Sequence, residues 1–163
     1  MSEAIQDLVD RQAIADVLIR YATALDSRDW PLLGSCFTSD GVTDYQELGG
    51  VNEGPEAIIR LCHGALSGLD ASQHLITNIA VELDGDRATA SCYFQAQHTY
   101  RGLDGGDNFL VGGTYRDSLV RGANGWQIQH RTLEPTWQDG NPAVFEHGAA
   151  RLAARSSDTT SAI

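Results

Sequence analysis

The sequence predicts an α+β fold, with helices first and a meander of long antiparallel strands after them. Two observations carry this. Ile14, Val17, Leu18, Tyr21 and Leu25 recur at the spacing of one helix face. From about residue 72 the period changes to alternation, and two strand–turn–strand patterns follow, with "DGD" and "ANG" as their turns. Helices that precede such a meander pack on one face of a curved, mostly antiparallel sheet. Neither a repeat nor a linker interrupts the chain, so one domain is expected.

Taken in order, residues 4–25 read as the first helix. "DSRDWPLLGSCF" reads as a short second helix, with Asp26 or Ser27 as its cap. "GVTDYQELGG" has the pattern of a short strand. "EGPEAIIRLCHGALSGL" restarts a helix, with Pro55 in its first turn and glycines after it. The hairpins occupy "SQHLITNIAVELDGDRATASCYFQAQHTYR" and "NFLVGGTYRDSLVRGANGWQIQHRTLEPTW". The last stretch, "AARLAARSSDTTSAI", fades into small polar residues, so the domain is expected to span 1–148 and a flexible tail 149–163.

Composition narrows the function. The chain has 163 residues, 42% of them hydrophobic and 20% charged, as in a soluble globular domain of ordinary size. Its net charge of −11 argues against nucleic acid and anionic membranes as partners. Every basic residue is arginine, which excludes Schiff-base chemistry, a lysine general base and a P-loop. No apolar run approaches the roughly 18 residues of a membrane span, and the acidic opening "MSEAIQDLVDRQ" lacks the pattern of a secretory signal. A cytoplasmic location is expected. Cys36, Cys62 and Cys92 are far apart and odd in number, as buried free thiols are. None of the five histidines (63, 74, 98, 130 and 147) has metal-ligand spacing, so no metal is expected.

The candidate chemistry gathers around Asp26. A carboxylate at the end of an apolar helical stripe needs a partner if it turns inward. Alternation places His74 with Ile76, Asn78 and Ala80 on one face of its strand. His98 shares phase with Ala88, Ala90, Cys92, Phe94 and Ala96, and the hairpin folds it back beside residues 72–74. An Asp–His pair in a dry pocket moves protons: the carboxylate fixes the imidazole tautomer and stabilises the imidazolium. Spacing alone leaves two readings open, in which Asp26 meets His74 or merely caps the helix beginning at "DSRDW".

Residues 4 to about 140 resemble the SnoaL-like, nuclear-transport-factor-like superfamily, a cone-shaped, cystatin-like α+β barrel. "LDSRDW", "TDYQE", "QHLITN" and "FQAQHTY" are similar to segments of scytalone dehydratase. "LVGGTYRDSLVRGANGWQIQHR" resembles hexachlorocyclohexane dehydrochlorinase, and Tyr21 five residues before Asp26 resembles bile-acid dehydratases. The dehydrochlorinase's lysine has no counterpart here, and the tyrosine preceding the aspartate of scytalone dehydratase is Leu25. The resemblance implies a cofactor-independent lyase of dehydratase type acting on a small, largely apolar, cyclic molecule. An isomerase or polyketide-type cyclase would use the same base, and a ligand-binding module would need none. His74 is then the general base and Asp26 its orienting partner. Tyr21 and Tyr45 are hydrogen-bond donors to a carbonyl or leaving-group oxygen, with Tyr21 equally readable as core. His98 either protonates a leaving hydroxide or is a polar wall. Arg131 shares its strand face with Gln127 and Gln129, away from Trp126, so it reaches the pocket only through a bulge. If inside, it holds an anionic leaving group or pairs with Asp26. Apolar residues on both faces of the 74–83 strand fit a homo-oligomer, a dimer or trimer.

Overall fold

The computed structural model describes residues 2–160. Helix α1 runs Glu3–Ser27, α2 Trp30–Ser35 and α3 Pro55–Leu66. Strands β1 (Phe37–Asp44) and β2 (Val51–Glu53) flank a short 3₁₀ turn at Gln46–Leu48, so the expected single strand is split in two. The long strands follow: β3 (Ala71–Asp84), β4 (Arg87–Thr99), β5 (Asn108–Gly122) and β6 (Gly125–Gly140), and then helix α4 (Ala143–Thr160). The sheet order is β2-β1-β6-β5-β4-β3. All pairings are antiparallel except β1 with β6. This is the α+β, cystatin-like arrangement expected from the sequence, with an open sheet whose edges are β2 and β3.

The helical stripe is the core of the molecule: Ile14, Val17, Leu18, Tyr21 and Leu25 are all buried. One turn earlier the same stripe carries Asp10, also buried. Its carboxylate accepts from Arg121 Nη1 at 2.7 and 2.9 Å and from Trp126 Nε1 at 3.0 Å. The indole hydrogen bond holds this carboxyl below its ordinary pKa against the effect of burial. The pairing ties the start of α1 to the tip of the β5–β6 hairpin.

Two bulges change which side chains face inward. In β3, Thr77 pairs with Tyr93 and Ala80 with Ser91, so Asn78 and Ile79 oppose the single residue Cys92. Asn78 takes the left-handed conformation (φ 54°) that asparagine tolerates better than most residues. The inward phase therefore passes from Ser72, His74 and Ile76 to Ile79, Val81 and Leu83. This corrects the uninterrupted alternation that put Asn78 and Ala80 with His74. In β6, Ser118 pairs with His130 and Leu119 with Ile128, so Gln129 is the extra residue and the inward row runs Trp126, Ile128, Arg131, Leu133.

The C-terminal segment is also unlike its sequence expectation. Residues 143–160 form α4, which packs on α3, and 161–163 lie outside the described residues. Val144 is fully buried, and Arg151 bonds Asp70 at 2.8 Å and stacks over Tyr100. Gly68 and Gly148 let the backbones meet so closely that a Cβ on Gly68 would collide with the Gly148 carbonyl oxygen. Backbone on both sides leaves no flexible atom to give way. Gly68→Ala is therefore expected to lose on the order of 1–3 kcal/mol of stability, read as a lower urea midpoint, with α4 becoming sensitive to protease before the sheet does.

Candidate active site

A cavity of about 440 Å³ lies between the helices and the concave row of sheet residues, large enough for a small cyclic molecule. Most of its wall is apolar, from α1 (Leu25), α3 (Leu61, Leu66), the sheet (Phe94, Phe109, Val111) and α4 (Phe145). Its histidines and its tyrosines form two separate sets, and Glu47 lies on the wall as well.

The histidine end is built on the junction of α1 with β3. The short helix α2 is capped by Asp29, whose side chain accepts from the Leu32 amide at 2.9 Å, and not by Asp26 or Ser27. Asp26 is therefore free to turn toward β3. One of its oxygens accepts from His74 Nδ1 at 2.7 Å and from Ser72 Oγ at 3.1 Å, the other from the His74 amide at 2.8 Å. Partial burial works against this carboxylate, but the three donors outweigh it and hold the group below its ordinary pKa. The His74 side chain is 6% exposed and lines the cavity. Nδ1 donates to the carboxylate, so in the neutral ring the lone pair is at Nε2. His98 stands edge-on to His74, with ring centroids 5.6 Å apart, and its Nδ1 is buried without a protein partner. Burial, followed by the neighbouring His74, pushes its pKa down to about 4, so it is a neutral imidazole at neutral pH.

At the tyrosine end, the Tyr21 and Tyr45 hydroxyls are hydrogen-bonded to each other, and Tyr115 reaches Tyr21. All three line the cavity. Burial raises their pKa values, so they remain protonated and able to donate. Behind them lies Arg131, fully buried. The β6 bulge turns it inward, which settles the direction that plain alternation assigned outward. Its guanidinium carbon lies 4.2 Å from the ring centroids of both Tyr21 and Tyr115, which are edge-on to each other 5.7 Å apart. Nε and Nη2 bond Asp117 at 2.7 and 2.8 Å. Burial opposes this charge, but Asp117 outweighs burial and holds Arg131 firmly protonated. Arg131 is thus neither on the cavity wall nor paired with Asp26. It is a cation held behind the tyrosines.

Asp117, Tyr115, Ser72 and Arg28 belong to these networks and escaped sequence reading. Asp117 and Arg131 occupy paired positions on β5 and β6, which is the signal that a correct register would have supplied. The three cysteines are buried free thiols, as expected; burial raises Cys62, on the cavity wall, to about 12. Among the described residues no group of three or more His, Cys, Asp or Glu is placed to hold a metal, and no helix is long and apolar enough to cross a membrane.

Fold and site together define an α+β domain that encloses a small-molecule cavity with an Asp–His pair at one end. The chain matches the SnoaL-like domain over residues 6–132 and belongs to that family. It is 40% identical over 145 residues to terrestric acid biosynthesis cluster protein E of Penicillium crustosum, covering 85% of this chain and 90% of that one. Among solved structures it superposes on a protein from Novosphingobium aromaticivorans proposed to be a scytalone dehydratase. The TM-score is 0.77 at 21% identity, over 85% of this chain and 91% of the other. Hexachlorocyclohexane dehydrochlorinase LinA-type3 from Novosphingobium barchaimii LL02 gives a TM-score of 0.75 at 17% identity, over 86% and 95%. At these identities the two structures establish a shared fold.

The buried ion pair and the buried imidazole each have a measurable consequence. Asp117→Ala leaves the Arg131 cation without a partner and is expected to cost about 3–5 kcal/mol. Replacing both residues by apolar ones of similar volume should cost less; urea unfolding of the single and double variants measures both. The second concerns pH. Between about pH 6.5 and about 4 the unfolded chain takes up a proton that folded His98 refuses, so stability declines as pH falls through that window. The shift from 6.5 to about 4 corresponds to on the order of 3 kcal/mol. The Asp26 contribution, being that of a lowered carboxyl, is lost only at still lower pH. His98→Asn is expected to flatten the decline, seen in urea midpoints measured from pH 7 to pH 4.

Proposed function

We propose that this protein is a lyase of dehydratase type that needs no cofactor and acts on a small, largely apolar, cyclic molecule. The observation that carries the reading is the 2.7 Å contact of Asp26 with His74 Nδ1, made where His74 opens onto an apolar cavity. His74 Nε2 takes a proton from the carbon beside a substrate carbonyl, and Asp26 stabilises the imidazolium that results. The electron pair of that C–H bond passes to the carbonyl, and the oxyanion accepts the one hydroxyl hydrogen of the Tyr21–Tyr45 pair that is not used between them. Arg131 acts on this charge from behind the tyrosines, not by direct contact. As the enolate collapses, the β-hydroxyl leaves and receives the proton from His74, so that water is lost and the base is restored. His98 is neutral, and in this scheme it hydrogen-bonds the departing oxygen while the imidazolium supplies the proton.

An isomerase or a cyclase would use the same base and the same hydroxyl donors. The Penicillium crustosum relative is named for a biosynthetic cluster, and that likeness favours a natural-product intermediate as substrate. Leu75, Tyr93 and Trp137 are large, apolar and exposed on the outer face of the sheet, which supports association of subunits there.

The test is a screen of cyclic β-hydroxy ketones by mass spectrometry. Loss of water marks a dehydratase, and a product of unchanged mass marks an isomerase or cyclase. His74→Gln is expected to lose roughly 10²- to 10⁴-fold in kcat/KM. Turnover retained in that variant overturns the mechanism, and a ligand bound without conversion marks a binding module.

A further inference from the structure

Arg28 stands where a side chain is hard to accommodate. It closes α1 at φ 58° and ψ 30°, the left-handed conformation that, where a helix ends in it, is usually taken by glycine. A residue with a Cβ kept in such a conformation is a reason to ask what its side chain does. The guanidinium turns back over the helix end. Its Nη1 meets the Leu25 carbonyl, comes within 3.5 Å of the Asp26 carbonyl, and donates to Ser72 Oγ at 2.7 Å. Ser72 has one hydroxyl hydrogen, and with its oxygen accepting from Arg28 it donates to Asp26 Oδ1 at 3.1 Å. The same Oδ1 accepts from His74 Nδ1. A chain of hydrogen bonds therefore runs from a fixed cation through Ser72 and Asp26 to the imidazole.

We propose that Arg28 and Ser72 are positioning residues that set both the orientation and the proton affinity of the Asp26–His74 pair. The assignment rests on the reading of His74 as a general base, but its test does not require turnover. An unopposed carboxylate beside an imidazole favours the imidazolium, which cannot act as a base. A guanidinium one hydroxyl away offsets part of that carboxylate charge and keeps Nε2 free at lower pH. The donor from Ser72 has the same sign, because it draws charge from the oxygen that faces the ring. The other charged or titratable groups around the pair are few. His98 from β4 is neutral, Glu47 lies elsewhere on the cavity wall, and the protonated Tyr21 and Tyr45 are at the tyrosine end. Among the described residues, Arg28 is the cation hydrogen-bonded into the network of the dyad, through Ser72, while Arg131 is paired with Asp117.

The experiment is an NMR titration of the His74 ring in wild type and three variants, with a pH–rate profile once a substrate is in hand. Arg28→Gly suits the left-handed backbone and keeps the fold while removing the cation. The pH at which the His74 resonances change is expected to rise by roughly half a unit in Arg28→Gly, and by less in Ser72→Ala. Arg28→Lys keeps the charge and should return most of the way to wild type. The acid limb of kcat/KM should move with the ring. An unmoved titration in Arg28→Gly overturns the proposal, as does a shift in Arg28→Lys as large as that in Arg28→Gly. A wild-type protein that converts no substrate counts against the lyase reading and leaves this titration as informative as before.

Discussion

A carboxylate that leaves water must find donors, and the way Asp26 finds them fixes the geometry of the whole site. One oxygen is held by the main chain of His74 and the other by its ring and by Ser72. Because one donor is backbone, the contact locks the end of α1 to the start of β3 as well as pairing two side chains. It also decides the imidazole tautomer, since a ring that donates from Nδ1 has its lone pair at Nε2. The helix–sheet junction and the orientation of the His74 ring at the cavity wall are thus set by one half-buried group.

The second constraint is the guanidinium of Arg131. A cation without exposure is costly unless paired, and Asp117 satisfies two of its nitrogens from the neighbouring strand. The rings of Tyr21 and Tyr115, set edge-on to each other, both lie against the guanidinium, which orders them at the cavity wall. A positive charge behind a set of protonated hydroxyls makes them better hydrogen-bond donors. The two ends of the cavity thereby differ in kind. One presents a lone pair backed by a carboxylate, and the other presents hydroxyl hydrogens backed by a cation.

Both ends depend on irregularities in the sheet. The extra residue at Gln129 turns Arg131 from solvent to core, and the extra residue at Asn78 lets β3 place His74 and Ile76 inside and still bury Ile79, Val81 and Leu83. Without the first, the cation would lie on the outer face. Without the second, one half of β3 would present the wrong residues to the core.

The sequence by itself determined the fold class, the α1 stripe, both hairpins and the inward row that carries His98, because these follow from periods of 3.6 and 2 that local composition preserves. It also marked Asp26, His74, Tyr21, Tyr45 and His98 as candidates. Tertiary structure alone decided that Asp29 and not Asp26 caps α2, that Arg131 points inward and binds Asp117, and that residues 143–160 form a helix over the cavity. Each of these is settled by contacts between residues distant in the chain. A cap is chosen by which carboxylate has a better partner elsewhere, and a bulge by which register buries more apolar surface. The α4 helix depends on what it covers: Val144 and Phe145 meet the core while most of the later residues face solvent, a pattern too weak to read until α3 and the sheet are there to receive it.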